Sequence, residues 1–202
     1  MKFVIKGFSI FIYALVKFIV EKTHIQAEAF VLSPFIEGKT LSIGCGNGSV
    51  EALINKGIVG VEVLKYGNPR IPIKIYNGKK LPFKNNCFDT VIIAYVFHHV
   101  RNEEQIHAIL KEALRVSKKK IVVLEQIHKN KVQLLLLKLF DCICNKPFGV
   151  PTPLNFFTVK KWTNFFRSLK FNFNIFTLKI PLLSVLFVIP VGEWKGDNAS
   201  QN

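Results

Sequence analysis

Eight consecutive residues, Leu41-Ser42-Ile43-Gly44-Cys45-Gly46-Asn47-Gly48, restrict the fold of this 202-residue chain more than any other stretch. A short apolar run feeds directly into G-x-G-x-G. Glycines at such a junction let the chain turn tightly and let backbone approach a ligand closely. The helix expected over residues 48–55, ending near Gly57, offers free backbone N–H groups at its start. Residues 58–63 read as the next strand. Glu62 lies near its end, 18 residues after Gly44. A carboxylate there can accept both hydroxyls of a ribose. The dinucleotide fingerprint places its third glycine where this chain has Ser49, and no Gly-Lys-Ser/Thr follows the loop, so NAD and ATP both lose ground.

Strand and helix signals alternate along the rest of the chain. Residues 8–22 and 25–36 read as helices, with Pro34 near the end of the second. Gly67, Pro69 and Pro72 make 64–72 a loop, and 71–76 includes a third short strand. Residues 89–94 form a continuous apolar strand after Asp89. Asn102 is placed to cap a helix reaching about Val116, whose apolar face carries Ile106, Ile109, Leu110 and Leu114. Lys118-Lys119-Lys120 reads as a solvated turn before a strand over 120–125. Residues 131–143 and 158–169 follow as helices, and 171–178 and 184–191 as final antiparallel strands. The pattern predicts an α/β fold: an open, mostly parallel sheet with helices on both faces and ligands at the carboxyl ends of its strands.

Lys and Arg number 28 against 13 Asp and Glu, a net +15, and half the residues are hydrophobic. This excludes a largely disordered chain. Between Lys129 and Lys195 ten basic residues face two acidic ones, Asp141 and Glu193. Such a surface can attract nucleic acid, anionic lipid or anionic ligands, or simply keep a chain in solution, and charge alone does not choose. No run of five basic residues and no recognition module is present for nucleic acid. Cys45, Cys87, Cys142 and Cys144 read as ordinary thiols in a reducing compartment. Cys142 and Cys144 have no second pair to complete a zinc site, and no metal is expected. The apolar segment 7–20 is too short to span a bilayer. It reads as a helix packed on the domain, with a membrane-surface helix and a signal peptide as alternatives.

The strings LSIGCGNG, GVEV, YNGKKLPFKNNCFDTVIIAYVFHHV and EALRVSKKKIVVLEQ, in this order and spacing over about residues 38–126, carry a resemblance. The chain resembles a class I S-adenosylmethionine-dependent methyltransferase of the broad small-molecule type. The resemblance implies a seven-stranded Rossmann-like sheet with a final antiparallel hairpin. It implies an N-terminal helical cap over 1–36, a cofactor-binding core over 37–126, variable substrate-cap helices and C-terminal strands over 127–192, and a tail over 193–202. The cofactor implied is S-adenosyl-L-methionine. Gly44, Gly46 and Gly48 would line its methionine and ribose part, Glu62 would hold the ribose hydroxyls, and Asn77 would sit beside adenine with Gly78 allowing close approach. Ala94 and Tyr95 would border the methyl-transfer site.

Two departures from the family pattern stand out. Ser42 occupies a position where the family has an acid. Only 14 residues separate Glu62 from Asn77, so the usual second helix is shortened or absent. His98 and His99 are the expected general bases, since they follow the fourth strand and histidine titrates near neutrality. Glu125, Asp141, Asn145, Asn155 and Phe156 are the candidate substrate residues, with Trp162 beside them. They suit a small acceptor that is lipophilic or anionic, handled in the cytoplasm or at a membrane surface. The alternatives are a noncatalytic relative acting as an interaction protein and a methyltransferase acting on nucleic acid.

Overall fold

The computed structural model describes residues 22–54, 57–146, 149–179 and 183–193. Residues 7–20, the start of the 180–191 run and the tail beyond 193 lie outside them, with the readings made there.

Residues 22–32 form helix α1, followed by a 3-10 turn over Ser33–Phe35. Then come β1 (Thr40–Ile43), α2 (Ser49–Ile54), β2 (Val59–Glu62), β3 (Ile73–Ile75) and β4 (Phe88–Ala94). After these run α3 (Glu103–Val116), β5 (Ser117–Gln126), α4 (Lys131–Asn145), α5 (Val159–Ser168), β6 (Asn174–Leu178) and β7 (Ser184–Pro190). The strands form one seven-stranded sheet in the order β3-β2-β1-β4-β5-β7-β6. The first five are parallel, and β7 pairs antiparallel with both β5 and β6. This is the expected fold, including the final hairpin. No helix forms between β2 and β3, which are joined by bends over 63–72.

The alternation of side chains across the pleat divides the core in two. Leu41, Ile43, Val91, Ile93, Ile121, Val123 and Phe187 face one side, under α3 and the aromatic residues of α5. Ile92, Val122, Leu124 and Leu186 face the other, under Ala29, Val31 and Leu32 of α1 and Ile54 of α2. Burial on both faces explains why β4 and β5 read as near-continuous apolar runs. Two helices start with the same reciprocal cap. The Asn102 side chain accepts from Gln105 N–H while Gln105 accepts from Arg101 N–H. Asn130, Gln133 and Lys129 repeat the arrangement at α4. Each cap satisfies donors that the helix itself leaves open.

Two sequence expectations fail here. Lys118, Lys119 and Lys120 belong to β5 rather than to a turn before it. Helix α3 runs into the strand without a loop, and the Ser117 hydroxyl donates to Lys120 O across the junction.

Trp162, expected near the substrate, is instead buried in the core, packed on Phe97, Phe157 and Phe166. Its helix is amphipathic, and the tryptophan lies on the apolar side. Phe166 in turn meets Phe187 of β7 with ring centroids 4.7 Å apart. Removing the Phe166 ring should cost about 3–5 kcal/mol, through lost transfer energy and the cavity left behind. Urea unfolding of Phe166→Ala with an unchanged m-value checks this; a loss under 1 kcal/mol, within the range of surface substitutions, would show that α5 does not anchor the hairpin.

Candidate active site

The sheet order reverses at β1, which has β2 on one side and β4 on the other. In parallel sheets the crevice beyond the strand ends at such a reversal is where ligands bind. Because β1, β2, β4 and β5 are parallel, the glycine loop, Glu62, the 95–99 turn and Glu125 gather at one edge.

Gly44, Gly46 and Gly48 all adopt positive φ, at 71°, 58° and 77°. Two of them are also required by packing within the chain. A Cβ on Gly44 would strike Val96, and one on Gly48 would strike Ile71. Among the described residues, only Gly46 of the three has open space on its free side, with nothing within 4 Å. Glu62 is buried beneath the loop. Its Oε2 accepts from Gly46 N–H at 3.0 Å and its Oε1 from Val63 N–H at 2.7 Å. A carboxylate oxygen has a second lone pair, so both atoms can still accept from a ligand hydroxyl.

The acid missing at position 42 reappears from α2. Ser42 Oγ donates to Glu51 Oε1 at 2.6 Å, and both residues are buried. Glu51 Oε2 has no hydrogen-bond partner among the described residues. Burial raises the Glu51 pKa, the Ser42 bond opposes this, and Glu62 adds to the rise. Glu28 of α1 is pushed well up by burial and then by Glu51 and Glu125. Burial, and then Glu51 and Glu62, push the Cys45 thiol up. Sequence reasoning missed Glu51 and Glu28. Ser42 itself was the available signal, since a small polar residue under the loop leaves room for a carboxyl from elsewhere.

The other expected cofactor residues are placed as follows. Asn77 is exposed, and its side-chain carbonyl accepts from Lys79 and Lys80 N–H, as in an Asn-Gly turn. Gly78 follows at φ 72°. Ala94 ends β4 half-buried. Tyr95, at φ 55°, turns toward α1 and β7: its hydroxyl lies 3.2 Å from Ser184 Oγ and its ring packs on His24.

A second constellation lies over β4 and β5. Glu125 Oε1 accepts from Phe97 N–H at 2.6 Å, and its Oε2 pairs with His98 Nδ1 at 2.8 Å. His98 Nε2 faces Asp141 Oδ1 at 3.5 Å, and His99 Nε2 faces the same oxygen at 3.8 Å. His99 Nδ1 is 2.9 Å from Pro151 O. A carbonyl only accepts, so this nitrogen carries the proton. Asn145 donates to Asp141, and Phe156 stacks on His98. Burial disfavours the charged His98 ring, but Glu125 and Asp141 outweigh it and lift the pKa to about 9. His99 is pushed down to about 4 by burial and then by His98. Burial opposes ionised Asp141, yet His98 and His99 hold it below the ordinary carboxylate range.

Five of the expected residues, His98, Glu125, Asp141, Asn145 and Phe156, therefore meet in one cluster, with His99 at its margin. Asn155 stands apart. It donates to Val100 O and Arg101 O and lines a surface cleft of about 310 Å³ with Arg101, Glu103 and Lys161.

Residues 41–123 match the methyltransferase domain family. The fold and the loop above agree with that match: residues 41–123 carry a methyltransferase domain on a Rossmann-like sheet of the class I type. Solved structures share the fold. An S-adenosylmethionine-dependent methyltransferase from Thermotoga maritima, a possible histamine N-methyltransferase, is 18% identical, with 91% of this chain and 97% of that chain covered and a TM-score of 0.63. The magnesium protoporphyrin IX methyltransferase of Synechocystis, solved with bound SAH, is 15% identical, with 82% and 81% covered and a TM-score of 0.53. A cyclopropane-fatty-acyl-phospholipid synthase-like protein from Lactobacillus casei is 11% identical, with 85% and 92% covered and a TM-score of 0.61. No curated protein sequence matches the chain.

The site fits the cofactor in two respects. Among the described residues, Gly46 leaves open space at the loop, and a carboxyl oxygen of Glu51 without a partner lies beneath it. S-adenosylmethionine carries a sulfonium and an ammonium, which a group of buried acids complements.

The raised pKa of Glu51 has a measurable sign. The folded chain holds this proton more tightly than the unfolded chain. The resulting stabilisation is complete below the ordinary value of 4.5 and is lost as pH climbs toward the folded value. The urea midpoint of the wild type should therefore fall relative to that of Glu51→Gln as pH rises above 4.5. Parallel midpoint curves would show that Glu51 titrates like an exposed carboxylate.

Proposed function

We propose that the chain transfers the methyl group of S-adenosylmethionine to a small lipophilic acceptor met at an anionic membrane surface. The observation that carries the transfer is the glycine loop with Glu62 and Glu51 at the sheet's reversal point. When bound, the cofactor supplies an electrophilic methyl group on a sulfonium. The chain's own residues bind and orient it. Gly46 gives the open face of the loop, Gly44 and Gly48 hold the loop's turns, and Glu62 presents lone pairs for the ribose hydroxyls. Glu51 supplies the negative charge that Ser42 lacks. Asn77 has its side-chain carbonyl committed to its own turn, so its amide N–H groups are left for adenine, with Gly78 next to it. Ala94 and Tyr95 border the transfer site.

His98 presents no free nitrogen for a general base, and the unprotonated Nε2 of His99 is turned to Asp141. Both His98 nitrogens face carboxylates, and His99 Nε2 faces Asp141. We read both as positioning residues that hold α4 over the ends of β4 and β5. Catalysis then rests on placement and electrostatics, which suffice when the acceptor needs no prior deprotonation.

Calorimetry with S-adenosylmethionine and S-adenosylhomocysteine tests the reading. Glu62→Ala should weaken binding about tenfold or more, the scale of a lost charge-assisted hydrogen bond. One feature favours the noncatalytic alternative: Val96 already fills the space beside Gly44. Absence of heat at millimolar ligand would decide for that alternative.

The membrane part rests on α4. Val132, Leu135, Leu136, Leu139 and Ile143 form one stripe, each about half exposed or more, opposite the buried Leu137 and Asp141. Lys129, Lys131, Lys138 and Lys146 flank it in a chain of net charge +15. Aliphatic side chains that enter the lipid boundary, beside lysines at head-group level, suit an anionic bilayer. Among the described residues no helix is long and apolar enough to cross a membrane. Leu136→Glu combined with Leu139→Glu should abolish sedimentation with phosphatidylserine-containing vesicles at low salt. Undiminished sedimentation of that variant would remove α4 from the contact.

A further inference from the structure

We propose that His98, His99 and Asp141 form a binding site for one divalent transition-metal ion. The three come from two segments, the turn after β4 and helix α4, and their ligand atoms all lie within 4.8 Å of one another. Ligand atoms held at about 2.0–2.2 Å from a shared ion stand about 3–3.5 Å apart. The pairs His98 Nε2–Asp141 Oδ1 at 3.5 Å and His99 Nε2–Asp141 Oδ1 at 3.8 Å need only a small contraction, and the ion displaces to solvent the proton that His98 Nε2 otherwise shares with Asp141.

The outer contacts are those of a metal site. A ligating histidine characteristically donates its second N–H to a carboxylate or a backbone carbonyl, which fixes the tautomer and aims the other nitrogen. Both arrangements occur here: His98 Nδ1–H donates to Glu125 and His99 Nδ1–H to Pro151 O. Each ring thereby turns Nε2 toward the same carboxylate. His99 Nε2 aims a lone pair at Asp141 Oδ1, which also carries lone pairs, so the two atoms repel unless a cation lies between them. Asp141 adds a second, independent sign. It is 4% exposed, and its Oδ2 has no hydrogen-bond partner among the described residues. That oxygen is free to complete a bidentate carboxylate.

The donor set selects the ion. Two imidazoles with one carboxylate and no thiolate suit zinc, cobalt, nickel or iron(II) better than magnesium or calcium. Three protein ligands leave a coordination position for an oxygen from water or an acceptor. The inference rests on the methyltransferase reading only for that last role, because the site is defined without the cofactor. A bound ion would also cross-link α4 to the sheet.

The test uses the full chain stripped with chelator, without cofactor. Zn²⁺ titrated in calorimetry should bind with a stoichiometry of one, and Co²⁺ should give visible ligand-field bands without a thiolate charge-transfer band. Zn²⁺ should raise the melting temperature. His99→Ala and the near-isosteric Asp141→Asn should each weaken binding at least tenfold. His107→Ala, at an exposed position on α3, and Cys142→Ser with Cys144→Ser should bind as the wild type does. His99 lies at the margin of the cluster, so a folded His99→Ala variant, verified by circular dichroism, separates loss of a ligand from loss of structure. Absence of saturable binding to the wild type, or wild-type affinity in both His99→Ala and Asp141→Asn, overturns the proposal. Either result leaves the cofactor-binding experiment untouched.

Discussion

The buried carboxylate of Glu125 holds the functional edge of the sheet together. The residue is fully buried at the end of β5, where an unpaired charge would be strongly unfavourable. Its two oxygens reach across to the segment after β4, one to Phe97 N–H and one to His98 Nδ1. That fixes the 3-10 turn over Phe97–His99. Phe97 is thereby set against Trp162, which joins the turn to α5. His98 is aimed at Asp141, which joins the turn to α4. Removing the carboxylate would orphan a backbone donor and a buried histidine together, so its effects would reach three elements.

The relation between Ser42 and Glu51 shows how a site can keep its chemistry while its residues move. A hydroxyl at position 42 leaves space in the floor of the loop, and α2 supplies a carboxyl to fill it. The hydrogen bond between them satisfies one Glu51 oxygen and leaves the other without a described partner. An acid held this way is kept at high free energy by burial and by the neighbouring Glu62. A cationic ligand relieves part of that free energy, so the instability of the empty arrangement becomes affinity for a positively charged group.

Most of the fold was legible because its determinants are local. The glycine loop, the Asn102 cap and the apolar runs of β4 and β5 each act within a few residues, and strand alternation then gives the parallel sheet. The active-site chemistry was only partly legible because its partners are far apart in sequence. His98 and Asp141 are 43 residues apart, and nothing in either neighbourhood announces the other. Glu51 looks like an ordinary acid in the first turn of a helix until Ser42 is placed beneath it. Trp162 was misplaced because an aromatic residue in a variable region reads equally as lining a cap or as core, and only the packing of α5 on Phe187 decides. The lysine run at 118–120 misled for a local reason: the first residues of a strand can carry solvent-facing lysines as readily as a turn can.

The distribution of charge ties these parts to one another. The chain carries a net +15, yet Glu28, Glu51, Glu62, Glu125 and Asp141 converge at the strand ends with His24, His98 and His99 for company. Outside, the basic excess is solvated and screened beyond about 8 Å at physiological ionic strength. Inside, screening is weak, and each acid raises the free energy of its neighbours' charged forms. The two regions therefore select for opposite partners. The exterior attracts anions such as a lipid head group, and the strand edge attracts cations such as a sulfonium or a metal ion. A ligand of one sign cannot satisfy both regions, so this charge pattern suits the proposed pairing of a cationic methyl donor with an anionic surface.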